Sequence, residues 1–160
     1  MKNINITASF TVYDKLEELD EEVFHLMYRA VEARNKAYAP YSKFRVGAAL
    51  LLENQEVVTG NNQENACYPS GLCAERVAIF SAGANFPGVS IKRLAISVSS
   101  DNYTVKKPAP PCGACRQSLV EYEINQKEPI EIYFMGAEGK IFKSNSVKNL
   151  LPLTFDSSFL

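Results

Sequence analysis

Apolar residues recur every three or four positions through Val23, Leu26, Met27, Ala30 and Val31, the spacing of a helix with one buried face. Asp20 suits its N-cap, Glu21 and Glu22 its first turn, Arg34 and Lys36 its end, and Pro40 is expected to close it. Beyond that helix the period shortens. Val46 to Leu52 and Glu56 to Gly60 read as two strands turning at Glu53-Asn54-Gln55. The polar stretch from Asn61 to Gly71, with Pro69 inside it, reads as a loop. A second helix is expected from near Cys73 to Gly83, followed by a strand from Leu94 to Ser99 that alternates Leu94, Ile96 and Val98. Three prolines (Pro108, Pro110 and Pro111) exclude regular structure from Ser100 to Pro111. A third helix should start at Cys112 and turn Cys112, Cys115, Leu119 and Tyr122 inward. Ile130 to Met135 and Lys140 to Phe142 read as strands around Gly136 and Gly139, with a short helix over Val147 to Leu151. Residues up to about Leu19 read as an extended lead-in. Interleaved helices and strands predict an α/β architecture, a sheet covered on both faces, in a single domain over residues 1–160.

Composition narrows the partners. The 160 residues carry a formal net charge of -1, so nothing draws the whole chain toward a polyanion. Lys92-Arg93 and Lys106-Lys107 are isolated pairs rather than a basic track, and nucleic acid is not expected as a partner. No apolar run is long enough to span a bilayer, and Met1 to Phe10 lacks the layout of a secretory signal. A cytoplasmic, reducing location is expected, where closely spaced cysteines favour metal or redox chemistry over disulfides.

The cysteines carry the chemistry. Cys112 and Cys115 lie three apart at a helix start, so both sulfurs can face one ion, and Pro111 suits the helix entrance because it has no N–H to leave unpaired. Alone, a C-x-x-C pair is a weak signal that fits a redox couple, half of a structural zinc site or nothing. Cys73, with Glu75 two positions on, changes that. Three thiolates and a nearby carboxylate match the zinc-deaminase pattern in its three-cysteine form. Three thiolates make a bound Zn²⁺ site formally anionic, and two helix N-termini together with Arg76 are expected to offset that charge. Cys67 is expected to be a small residue at least partly buried, and His25, the only histidine, a surface residue of the first helix. A closed, non-catalytic zinc module stays open as an alternative. It would need a fourth ligand from Cys67 or His25.

With these motifs in hand, the sequence resembles the small homotetrameric cytidine deaminases from about Glu22 to Phe155. The likeness rests on Ala39-Pro40-Tyr41-Ser42-Lys43-Phe44, Val46-Gly47-Ala48-Ala49-Leu50, Asn62-Gln63-Glu64-Asn65-Ala66, Cys73-Ala74-Glu75-Arg76 and Pro111-Cys112-Gly113-Ala114-Cys115-Arg116-Gln117 in that order. The resemblance implies a three-layer fold with a mixed five-stranded sheet between helices and one Zn²⁺ per subunit. It implies Cys73, Cys112 and Cys115 as ligands and Glu75 as proton shuttle. Phe44 would pack on the pyrimidine, Asn62 and Glu64 would bind the ribose hydroxyls, and Ala74 would meet the base through its backbone. Tyr68 and Phe155 would reach a neighbouring subunit's site. The implied reaction is hydrolysis of free cytidine, with deoxycytidine expected as a second substrate, in pyrimidine salvage. A cytosine-bearing antibiotic of the blasticidin type is the alternative substrate. Residues 1–20 and 101–110 fit the pattern poorly.

Overall fold

The structure is a computed structural model that describes all 160 residues. Its strands are β1 (Thr11–Tyr13), β2 (Phe44–Leu52), β3 (Val57–Asn61), β4 (Ile91–Ser100), β5 (Glu131–Met135) and β6 (Ile141–Ser144). Its helices are α1 (Glu21–Asn35), α2 (Ala74–Asn85), α3 (Gly113–Gln126) and α4 (Val147–Leu150). The strands form one sheet in the order β1-β6-β5-β4-β2-β3, with β4 and β5 parallel and every other pair antiparallel. The sheet therefore has six strands where five were expected.

The sixth strand comes from the lead-in. Thr11, Val12 and Tyr13 pair with Lys143, Phe142 and Ile141 and cover what would otherwise be the β6 edge. Behind them Leu19 is buried, and Leu16 and Tyr13 pack against the same core. A three-residue strand has too little pattern of its own to announce itself; the free edge of β6 determines its pairing.

Alternation along the central strands splits the core in two. Ala48, Leu50 and Leu52 of β2, Leu94, Ile96 and Val98 of β4, and Ile132 and Phe134 of β5 face α2, α3 and α4. Ala49, Leu51, Ala95, Tyr133 and Met135 face α1 and the lead-in. Both faces are covered, so these strands read as nearly continuous apolar runs.

Two glycines set the helix distances. A Cβ at Gly47 would lie 2.0 Å from the Ala30 carbonyl oxygen, so α1 rests directly on β2. A Cβ at Gly60 would lie 2.4 Å from the Ala74 carbonyl oxygen and 2.6 Å from the Ala78 nitrogen, so α2 rests on β3 on the other face.

Asp20 caps α1 as expected, its carboxylate accepting from Val23 N at 2.8 Å. The helix ends at Asn35, well before Pro40, because the chain beyond it bridges to a distant loop. Tyr38 N donates to Asn62 O and Glu64 N donates to Tyr38 O. α2 runs through Gly83 to Asn85, and β6 extends two residues past Phe142 to Ser144.

Candidate functional site

The parallel β4–β5 pair is joined through α3, and β2 enters beside the carboxyl end of β4, where Phe44 pairs with Ser100. In α/β sheets such a reversal of strand order leaves a crevice for a ligand. Here it opens into a cavity of about 710 Å³. Val46, Ile96, Val98 and the half-buried Phe44 are among its apolar lining, and Glu75, Arg76, Cys73 and Cys112 also line it. The size and mixed lining are those of a small-molecule site.

Two helix starts bring the sulfurs together. Cys73 is the N-cap of α2 and Cys112 the N-cap of α3, each with extended backbone and no side-chain cap on the following amides. Each helix thus begins one residue after its cysteine, which places the sulfurs at the positive ends of two helix dipoles. Cys73 Sγ and Cys112 Sγ are 3.9 Å apart, Cys112 Sγ and Cys115 Sγ 3.5 Å, and all three lie within 4.8 Å of one another. Tetrahedral coordination with Zn–S bonds near 2.3 Å puts neighbouring sulfurs about 3.8 Å apart. The donor set and its spacing fit a zinc ion. Neither Cys67 nor His25 belongs to the cluster.

Cys115 is fully buried, Cys73 half-buried and Cys112 exposed. A hydrogen bond from Cys115 lowers the Cys73 thiol to about 5, with Arg76 and Cys112 helping against a burial that works the other way. Donation to Cys73 pushes the Cys115 thiol up, and burial adds to the effect. Arg76 points inward as expected, with Nη2 3.9 Å from Cys73 Sγ, and its Nε is buried without a partner. Burial pushes the Glu75 carboxyl up, the Cys73 thiolate adds to this, and the residue is only 5 % exposed. A carboxyl so placed accepts and releases protons more readily near neutrality than an exposed one.

Asn62 and Glu64 reach the cavity wall while already holding the chain around it. Asn62 accepts from Val46 N at 2.8 Å and donates to Phe44 O at 2.9 Å. Glu64 accepts from Tyr41 N at 2.9 Å, from Ser42 N at 3.3 Å and from the Ser42 hydroxyl. Burial works to raise the Glu64 carboxyl, and these donors hold it below its ordinary value. An amide has two donors and two lone pairs, and a carboxylate about four acceptor sites, so each retains capacity for a ligand. Both residues hold the Phe44 segment in place, a role the motif alone did not reveal.

Ala74 is fully buried, and its side chain is not part of the wall. Tyr68 stands at the rim, 78 % exposed, with its ring tilted against Tyr41 at 6.3 Å. Phe155 lies outside the cavity, exposed and stacked on Phe159 at 5.5 Å, while its carbonyl accepts from Gln117 at 3.0 Å. Cys67 corrects an expectation: it is exposed, because its amide turns toward Asn65 Oδ1 to start a 3₁₀ turn over Tyr68–Ser70. His25 lies on the α1 surface, 3.8 Å from Glu21. Ala109 and Pro110 also line the cavity. They sit in the segment that fits the family pattern poorly, and only their proximity in the fold marks them.

A family model described as the cytidine and deoxycytidylate deaminase zinc-binding region matches residues 20–127. A cytidine deaminase of Halalkalibacterium halodurans is 41 % identical over 130 residues, covering 81 % of this chain and 91 % of its own length. One from Sporosarcina psychrophila is 40 % identical over 140 residues, covering 87 % and 95 %. Among solved structures, cytidine deaminase from Burkholderia pseudomallei superposes with a TM-score of 0.71 at 40 % identity, covering 82 % of this chain and 97 % of that one.

Proposed function

The chain belongs to the family of zinc-binding cytidine and deoxycytidylate deaminases, and on that premise we propose that it converts free cytidine and water into uridine and ammonia. Cytidine deaminases of this length at about 40 % identity support the activity. The observation that carries it is Glu75, a buried carboxyl beside three clustered sulfurs at one wall of a nucleoside-sized cavity. We also read 2′-deoxycytidine as a substrate and pyrimidine salvage as the role, with residues 1–160 as one deaminase domain in the cytoplasm. The thiols, all free, suit a reducing compartment, and no helix is long and apolar enough to cross a membrane.

Cys73, Cys112 and Cys115 would hold one Zn²⁺. Bound there, zinc supplies Lewis-acid activation of water. Phe44 offers an aromatic platform for the pyrimidine face. Asn62 and Glu64 fix the ribose through their unused donor and acceptor positions. The Ala74 backbone, at the α2 N-terminus, meets the base. Glu75 takes one proton from water and places it on ring nitrogen N3 as the water oxygen bonds to C4; it then takes the remaining proton from that oxygen and delivers it to the amino group, the C4–N bond breaks and ammonia leaves, so the carboxylate ends as it began. Arg76 offsets the negative charge of the thiolates. Tyr68 and Phe155 are exposed aromatics available to a neighbouring subunit in a homotetramer.

Glu75→Ala should bind zinc like wild type while turnover of cytidine, followed by ultraviolet absorbance, falls on the order of 10²- to 10⁴-fold. Substantial activity in a zinc-loaded variant rules out the role. Deoxycytidine and blasticidin S in the same assay separate the substrate readings. Sedimentation of the active protein should give a tetramer, and a fully active monomer contradicts the assembly.

A further inference from the structure

Arg116 has a role that the zinc-ligand pattern does not assign. We propose that it is the positioning residue for Cys112, fixing the direction of that sulfur by clamping the peptide before it. The inference rests on reading Cys73, Cys112 and Cys115 as metal ligands.

A cysteine's backbone sets the direction of its Cα–Cβ bond and leaves only χ1 to place the sulfur, and that direction is fixed once the peptide units on either side are fixed. At Cys73 the main chain does both. The Leu72 carbonyl accepts from Gln63 N at 2.9 Å, and the Cys73 carbonyl accepts from Val77 N at 3.1 Å. At Cys112 the second of these bonds is present, Arg116 N donating to the Cys112 carbonyl at 2.9 Å. The first has no main-chain donor. Pro108, Pro110 and Pro111 leave the approaching segment without a strand to pair with. Arg116 supplies the missing bond from its side chain, with Nε donating to the Pro111 carbonyl at 2.8 Å. One residue therefore holds both peptides flanking Cys112 in the extended conformation observed, φ -67° and ψ 168°.

The guanidinium is itself anchored. Nη1 donates to the Leu150 carbonyl at 2.8 Å, at the end of α4. Its planar fork spans two carbonyls on separate segments, which a lysine's single ammonium cannot reproduce with the same geometry. Cys112 needs such support most, being exposed where Cys115 is buried and Cys73 is half-buried. The two arginines near the cluster thus act differently. Arg76 reaches a sulfur, and Arg116 reaches the backbone that aims one.

Groups that orient metal ligands from outside the coordination sphere typically change metal affinity 10- to 100-fold when removed. The test compares wild type, Arg116→Gln and Arg116→Lys for zinc release to a chelator, for the thiolate-to-metal spectrum of the cobalt(II)-substituted protein, and for kcat and KM with cytidine. Arg116→Gln should release zinc on the order of tenfold faster, alter the cobalt spectrum and lower kcat while KM stays within about twofold. Arg116→Lys should fall between Gln and wild type. A purely structural arginine would lower the melting temperature of the metal-free protein and leave zinc release and the spectrum of the folded fraction as in wild type; that result overturns the assignment. Should Arg116→Gln fail to fold, Arg116→Lys decides alone, and wild-type zinc release in it is the overturning result. A wild-type protein that retains no zinc overturns the ligand reading and this one together. One that holds zinc but leaves cytidine unchanged overturns only the proposed activity.

Discussion

Glu131 shows at the scale of one residue how a charge is tied into the fold far from the cavity. Its carboxylate meets Lys143, accepts from Tyr133 Oη at 3.1 Å and pairs with Arg93 at 3.0 Å. Burial works to raise this carboxyl, and Lys143, Tyr133 and Arg93 together hold it below the ordinary value. A carboxylate depressed on folding adds stability above its unfolded value, near 4.5, and that contribution fades as the pH falls through the lower folded value. Glu131→Gln should therefore unfold at lower urea than wild type at pH 7, and the two midpoints should converge in acid. A gap of constant size across pH would mean that shape, not charge, makes the difference. Local signals identified some residues fully. Asp20 announced itself as a cap because capping involves only the next three residues. Burial of Glu75 depends on chain segments far away and could not be read locally.

Elements matter here chiefly through where their ends fall. α2 and α3 deliver the three sulfurs because both start beside a cysteine, and their starts converge only if each helix lies correctly on the sheet. For α2 the contact is Gly60, where any Cβ would strike the Ala74 and Ala78 backbone. Gly60→Ala should push the first turn of α2 away from β3, destabilise the protein by about 1–3 kcal/mol and weaken zinc retention. Unchanged metal binding, measured by chelator competition, would show that the helix start can shift without moving Cys73. The α1 period was legible because one face of that helix is buried, and the central strands stood out as compact apolar runs because both faces of the sheet are covered. Ends were less so. α1 stops at Asn35 rather than Pro40 because Tyr38 pairs with the 62–64 segment, and local propensity carries no trace of a partner more than twenty residues away.

Across the whole molecule, the cavity takes none of its lining from the lead-in, which is shared between the two cores of one sheet, Phe10 packing on Phe134 and Phe142 of the cavity-side core. β1 and Leu19 serve the α1 face and the β6 edge, whereas the cavity wall continues the opposite core. Deleting residues 1–14 should lower the melting temperature and, by exposing the β6 edge, promote association, while zinc content and turnover per folded molecule stay at wild-type level. Loss of turnover in a folded truncation would make the lead-in part of the site. The family match begins at residue 20, so nothing in the shared motifs foretold a sixth strand. The sequence by itself determined the α/β class, the three candidate ligands and the paired carboxyl, because periodicity and close spacing are local properties of a chain. Only the tertiary structure decided that Glu75 is buried, that Asn62 and Glu64 hold the Phe44 segment, and that Arg116 clamps the peptide ahead of Cys112. Each of these depends on distant segments meeting, and packing rather than local pattern brings them together.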